Sequence, residues 1–594
     1  MDRMLKLSIL LLPLVLQTAC SNNPGSENWS YTGIQGGRSE IIREPLSPVR
    51  IVWLSDDTGD LIKNAGALLE EGVGQADLVG KNLCTMVGGK DHNPAILLDF
   101  GREIHGGLEI VTGMFRNHDP IKVRITLGES VSEAMSRVES STATNDHAMR
   151  DFELSLPWLG KIEVGNSGFR FVKIELLDAD RVLLLKEVRA LQVYRDIPYL
   201  GSFRSNDERL NEIWMTGAYT VHLNMQEYLW DGIKRDQLVW VGDMHPEVMT
   251  ILSVFGYNEV VPKSLDMIRE ITPLPQWMNG ISSYSMWWIL VHHQWYMNTG
   301  DLGYLQKHRE YMFGLLEVLK SKIDENGKEG LDGTRFLDWP TSPNSLAVHA
   351  GLQAMMVKTF KAGADIAGIF GDNERRDDCL DVVALLKQHV PSPNGNKSAG
   401  ALMALAGLAD TGAMNDTLLS VESHSGISTF YGYYVLNARA EAGDYTGAMD
   451  LIRDYWGAML DLGATTFWED FDLAWMENAG RIDELTPEGK IDVHATYGEY
   501  CYVGLRHSLC HGWASGPTAW MTRYVLGIQV VEPGCKTVLI DPNLGDLEWA
   551  EGTFPTPYGL ISVRHEKDSN GKVSSNVDAP RGVKIVFADG VRGI

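Results

Sequence analysis

Residues 206–225, NDERLNEIWMTGAYTVHLNM, are where the period of the chain changes. Leu210, Ile213, Trp214 and Ala218 recur at helical spacing, and Asn206 or Asp207 stands just ahead as an N-cap. From here to about residue 525 helical segments follow one another, among them VVPKSLDMIREI from Val260, SMWWILVHHQWYMNTGD from Ser285 and LGYLQKHREYMFGLLEVLKSKI from Leu302. Long helical hairpins over this span predict a central all-α domain, residues 205–525, closed as an (α/α)6 toroid barrel. In such a barrel the loops at one end line a cleft, and function is expected there.

On either side the pattern is that of strands. Between 41 and 204 short apolar/polar alternations such as IVWL from Ile51, IKVRITLGES from Ile121 and FRFVKIELL from Phe169 are broken by Gly, Asn and Asp, which predicts an N-terminal β-sandwich. Glu129, Asp151 and Arg170 are expected there as sheet-edge or loop charges. Residues 526–594 return to short strands separated by Pro and Gly, and predict a small C-terminal β-domain. The fold class expected is therefore multidomain, a helical barrel flanked by two β-domains.

The first twenty residues form an export signal. Arg3 and Lys6 precede the apolar run LSILLLPLVL, which is too short to span a bilayer, and Gln17, Thr18 and Ala19 lead into Cys20. Small residues before Cys20 resemble a bacterial lipoprotein cleavage site, so residues 1–20 are expected as a signal peptide, Cys20 as the lipidated residue and 21–40 as a tether. A periplasmic or outer-membrane-surface protein held to the membrane by an N-terminal lipid anchor is implied. Cys84, Cys379, Cys501, Cys510 and Cys535 are scattered without CxxC spacing and are expected as buried free thiols. A net charge of -26 excludes a basic footprint for nucleic acid, and nothing indicates the oligomeric state.

The chemistry concentrates in Tyr228–Glu247, YLWDGIKRDQLVWVGDMHPE, which places Asp231, Arg235, Asp236, Trp240 and Asp243 within thirteen residues. Carboxylates, a guanidinium and an indole this close are costly to bury unless paired or used on a ligand, and aromatic faces beside acids suit a sugar. The same residues also fit a solvated loop. Glu247 is either a third acid, one turn beyond Asp243, or an exposed helix charge. Trp277, Trp287, Trp288 and Trp295 fit core or cleft equally, and His424 is expected to be structural. His507 and His511 have the spacing of a zinc pair, but HSLCH lacks the HExxH glutamate, ASGPT lacks a GxSxG elbow, and no DxDxDG loop is present, so no metal and no cofactor are expected.

The strip Asp231-Gly-Ile-Lys-Arg235-Asp236-Gln-Leu-Val-Trp240-Val-Gly242-Asp243 resembles the DCPxRERLGWxGD signature of the α-L-rhamnosidases of glycoside hydrolase family 78. LLDFGREIHGGLEI, ATNDHAMRD and GNSGFRFVKIELLD before it, and GATTFWEDFD and SLCHGWASGPTAWMTRYVLGI after it, resemble further segments of that family in order. The resemblance implies inverting hydrolysis of terminal α-L-rhamnosyl linkages in a rhamnose-containing oligosaccharide or glycoside, with Asp236 as general acid and Glu469 as general base. It also implies that Asp231, Arg235, Trp240, Asp243 and His511 hold the sugar. Asp338 and Trp339 of RFLDWP are implied as hydroxyl acceptor and stacking platform, and Trp468 as a pocket wall, although barrel packing fits that indole as well. The sequence departs from the signature at Asp236, which stands for the usual Glu, at Gly232 and Ile233 for Cys-Pro, at Gln237 for Arg and at Val239 for Gly. A divergent branch is implied, with Asp231 as the substitute acid if the Asp236 carboxyl is too short to reach. Two other readings stay open. One is another barrel glycosidase or a uronate lyase using His245, His511 or Arg235, and the other is a sugar-binding lipoprotein without turnover.

Overall fold

The computed structural model describes residues 39–594, except 57, 91–92, 117, 501, 590 and 594. The signal peptide, Cys20, most of the tether and Cys501 lie outside the described residues. N-terminal β-structure, a helical middle and a C-terminal β-domain follow in the expected order.

The N-terminal strands form one hydrogen-bonded sheet of nine, not two separate sheets. The reason is strand length. Ala95–Thr112, Lys161–Leu176 and Val182–Arg195 are long enough to change partners along their course. The first of them pairs Arg50–Leu54 near Asp99 and Val182–Arg195 beyond Gly106, with a register break between Asp99 and Ile104. Their inward residues, including Ile96, Leu98, Ile110, Val123, Ile125 and Val172, make a core of their own.

The helical domain opens with Glu208–Asn224, whose N-cap is Asp207, its carboxylate accepting from the Arg209 and Leu210 amides. Asn206 instead accepts from Glu548 and so ties the helix start to the C-terminal domain. Long helices follow, among them Met244–Val254, Ser282–Thr299, Ser345–Ile369 and Gly432–Glu441. Their apolar faces share one core with the C-terminal strands, where Phe554, Ile561 and Val563 join Trp214, Trp456 and Trp520. Strand Ser202–Ser205, assigned to the first domain by its position in the chain, pairs antiparallel with Trp549–Thr556 and belongs to the C-terminal sheet.

The two halves are locked by buried charge. Lys234 is fully buried, with its ammonium 3.1 Å from both Glu129 and Glu133 of the N-terminal domain, and it also donates to the Leu505 and His507 carbonyls. Glu129 in turn accepts from the Leu509 amide at 2.6 Å. Arg170 binds Asp99 through two nitrogens and donates to the Gly463 carbonyl at 3.0 Å. Glu129 and Arg170 are therefore interior interdomain groups, a correction to their expected place at sheet edges. Periodicity could not show this, because it reports which residues face a sheet's outside and not what covers that face. Removing one partner of a buried ionic cluster leaves the others uncompensated, so Lys234→Met is expected to lower the unfolding free energy by about 3–5 kcal/mol in a denaturant titration. A loss under about 1 kcal/mol would show that the cluster does not join the domains.

Candidate active site

Between helices Glu208–Asn224 and Met244–Val254 the strip runs as an irregular loop closed on itself. The Asp231 amide donates to the Leu238 carbonyl at 3.1 Å, and the Leu238 amide returns to the Asp231 carboxylate at 3.0 Å. Closing this ring puts Asp236 and Gln237 in the left-handed region, with φ of 62° and 55°, a conformation that Asp and Asn tolerate better than most side chains. The loop is clamped from two sides. Gly232 bridges His511 and the Gly512 amide donates to the Asp231 carbonyl, while the Gly168 amide of the N-terminal sheet donates to Ile233. A Cβ on Gly168 would stand 2.8 Å from the Lys234 backbone nitrogen, so only glycine allows this approach. Gly242 has the same role, since a Cβ there would lie 2.2 Å from the Tyr284 ring, whose hydroxyl donates to Asp243 at 2.7 Å.

The result is a cavity of about 460 Å³ into which Asp231, Arg235, Asp236, Trp240 and Asp243 converge with Glu469, His511, Trp339, Trp513 and Tyr284. Arg235 is the link between the acids. One guanidinium nitrogen donates to Glu469, and the Arg235 Nε lies 3.9 Å from Asp236 Oδ1. Asp236 faces the mouth, its side chain 20% exposed against 3% for Glu469. Trp240 Nε1 donates to Asp236 Oδ2 at 3.0 Å, and His147 Nε2, from the N-terminal domain, lies 3.2 Å from Oδ1.

The other acids are deeper. Burial pushes the Glu469 carboxyl up and the Arg235 cation opposes it, while the Ser508 amide donates to Oε2 at 3.3 Å. Asp231 and Asp243 are pushed well above the usual carboxylate range by burial first, with repulsion from Asp236 added at both. His511 Nε2 is 3.7 Å from both Asp231 and Glu469, and burial together with Arg235 holds its pKa well down, so the ring is neutral. The cavity thus offers one accessible carboxyl at its mouth, one carboxylate held by a cation opposite, and aromatic surfaces around them. Such a set can move a proton onto one atom and take another from water, and it can stack a ring with C–H faces.

Several expected residues lie elsewhere. Trp468 is buried, packs edge-on against Phe471 at 5.7 Å, and belongs to the core rather than the cavity wall. Asp338 does not line the cavity, because its oxygens serve the Thr341 amide at 3.0 Å and the Ser398 and Ser428 hydroxyls at 3.2 and 2.8 Å. It fixes the turn that presents Trp339, which does line the cavity and stacks at 24° on Tyr500. Glu247 is fully buried, with no hydrogen-bond partner on either carboxyl oxygen among the described residues, which corrects the reading of it as an exposed helix charge. Trp287, Trp288 and Trp295 are core, and His424 is paired with Asp454 at 2.8 Å. His245 lies outside this cavity and stacks on Trp287. His147, Tyr284 and Trp513 were not legible in the sequence. His147 sits in ATNDHAMRD, some ninety residues before Asp236, with no local pattern to mark its destination.

With this geometry in view, the likenesses to known proteins are informative. Residues 198–380 match the model of the bacterial α-L-rhamnosidase six-hairpin glycosidase domain, and residues 527–587 that of the bacterial α-L-rhamnosidase C-terminal domain. An α-L-rhamnosidase of Alteromonas sp. (strain LOR) is 22% identical over 451 residues, 68% of this chain and 46% of that protein. The chain spans about half the length of the curated relatives it matches. Among solved structures, a family 78 rhamnosidase of Bacillus sp. GL1 superposes with a TM-score of 0.72 at 22% identity, over 89% of this chain and 56% of that one. A Klebsiella oxytoca rhamnosidase with rhamnose bound gives 0.65 at 19% identity, over 83% of this chain and 97% of that one. The two family models fall on the helical domain and on the closing β-domain in the order in which the chain folds, so both regions are similar to domains of the bacterial α-L-rhamnosidases.

Proposed function

We propose that the protein hydrolyses terminal α-L-rhamnosyl linkages with inversion at the anomeric carbon, and that its helical domain closes as an (α/α)6 toroid around the catalytic cavity. The six-hairpin description of the matching family model supports the toroid. The observation that carries the reaction is Arg235, one cation bonded to Glu469 and beside Asp236 in a single cavity. Inversion needs two carboxyl groups on opposite sides of the sugar with room between them for water. In this reading Asp236 gives its proton to the glycosidic oxygen as the C–O bond breaks, and the alcohol leaves. Glu469 takes a proton from the water whose oxygen bonds to the anomeric carbon from the other face. Arg235, bonded to Glu469, favours the ionised form that this step needs against the opposing effect of burial. His147 and Trp240 hold the carboxyl of Asp236, one methylene shorter than glutamate, toward the bond it protonates. Trp339 and Trp513 stand where the ring of the substrate would stack.

The export signal and Cys20 support a lipid-anchored protein in the periplasm or on the outer-membrane surface, acting on rhamnose-containing oligosaccharides or glycosides. No helix among the described residues is long and apolar enough to cross a membrane.

Asp236→Asn is expected to lower turnover of an alkyl rhamnoside by about 10²–10⁴-fold, as loss of general acid catalysis does. It should cost far less with a nitrophenyl rhamnoside, whose leaving group needs little protonation, whereas Glu469→Gln should lose both substrates equally. An Asp236→Asn variant equally impaired on both would remove Asp236 from the acid role.

Glu247 takes no step, and its protonation reports on folding. Burial pushes its carboxyl well above the usual 4.5, helped by Asp243 and Asp231. Above that value the unfolded chain has lost a proton that the folded chain keeps, so stability falls as pH rises. Glu247→Gln, which removes the titration with little change of shape, is expected to flatten the fall of melting temperature from about pH 5 to pH 8. Parallel curves for variant and parent would contradict the assignment.

A further inference from the structure

A second cavity, of about 340 Å³, shares no lining residue with the first. Its walls come from the helices Met244–Val254, Ser282–Thr299, Ser345–Ile369 and Gly432–Glu441, and from the turn Met521–Val525. His245, only two residues after Asp243, forms part of its wall and lies against Trp287 and Tyr434, with interplanar angles of 29° and 22°. Tyr434 returns its hydroxyl to His245 Nδ1 at 3.0 Å.

The charge in this cavity is unusual for a chain with 78 acidic residues against 52 basic ones. Lys358 and Arg523 both line it, and among the described residues neither has a carboxylate within ion-pair distance. Burial pushes the Lys358 ammonium down to about 8, with repulsion from Lys361 and Arg523 adding to it. The Arg523 Nε and the Asn437 carbonyl oxygen are buried with no hydrogen-bond partner among the described residues. The one carboxylate of the lining, Glu441, is exposed and receives the Tyr524 hydroxyl at 3.1 Å. A buried guanidinium nitrogen and a buried amide oxygen left without partners are costly unless a ligand satisfies them. A bare oxyanion would use the cations alone, leaving Gln294, Asn437 and the Tyr434–His245 wall idle in a space about three-quarters the size of the catalytic one.

We propose that this cavity binds a uronic acid residue, its carboxylate on Lys358 and Arg523, its hydroxyls on Gln294 and Asn437, and its ring against the Tyr434–His245 wall. The inference is independent of the reaction assigned to the other cavity.

The test is calorimetric titration of the full chain with D-galacturonate at fixed ionic strength near neutral pH, with D-galactose and sodium sulfate as separate arms. Saturable binding of galacturonate is expected, with no response to galactose, a weaker one to sulfate, and no displacement by L-rhamnose. Lys358→Met should weaken binding by roughly tenfold or more, the loss of a charge-assisted hydrogen bond. If that variant does not fold, Arg523→Gln is used in its place. Equal binding of sulfate would reduce the site to an anion hole. Binding of galactose equal to that of galacturonate, displacement by rhamnose, no saturable binding, or full binding by a folded Lys358 or Arg523 variant would overturn the proposal.

Discussion

Two adjacent cations on one irregular loop, Lys234 and Arg235, set the arrangement of the molecule. Lys234 is held by Glu129 and Glu133 of the N-terminal domain, and Arg235 by Glu469 from a loop more than two hundred residues later. Both ion pairs are buried, and buried pairs have little energy to spare, because desolvation offsets much of their attraction. What they supply is position. With both cations fixed, the loop between them and Trp240 must close through the left-handed backbone at Asp236, and the Asp236 carboxyl comes out at the mouth of the cavity.

The N-terminal domain is therefore part of the site's construction. Gly168 clamps the loop from behind, Glu129 binds the Leu509 amide beside the Glu469 strand of contacts, and His147 reaches the carboxyl of Asp236. A carboxyl shortened by a methylene needs its position defined from more directions, and Trp240, Arg235 and His147 surround it from three.

Much of this was legible in the sequence because it is written locally. Helical period from Leu210 onward and strand alternation on both sides gave the order of the domains, and the cluster from Asp231 to Asp243 gave one wall of the site. The opposite wall at Glu469 was reachable only through resemblance, since nothing in TTFWED alone distinguishes a cavity acid from a loop acid. What failed were assignments that depend on long-range packing. Trp468 beside Glu469 turns to the core, Asp338 beside Trp339 is consumed by two serines and a backbone amide, and Glu247 is covered by the backbone at Gly512. Neighbouring residues on an irregular loop point in opposite directions, and no periodicity records which. The single N-terminal sheet was hidden for a related reason, because strand length alone does not reveal a change of partner midway.

Four carboxyl groups line one space, with Glu247 buried behind them, and burial divides their labour. Asp231, Asp243 and Glu247 are driven toward the neutral form, the first two accepting from the Leu238 amide and the Tyr284 hydroxyl, while at Glu469 Arg235 opposes the effect of burial. In the proposed reaction Asp236 and Glu469 act from opposite faces of one sugar. Proton NMR of the first product released from an aryl α-L-rhamnoside tests this most directly. The account predicts β-L-rhamnose before mutarotation, and α-L-rhamnose as the first anomer would contradict it.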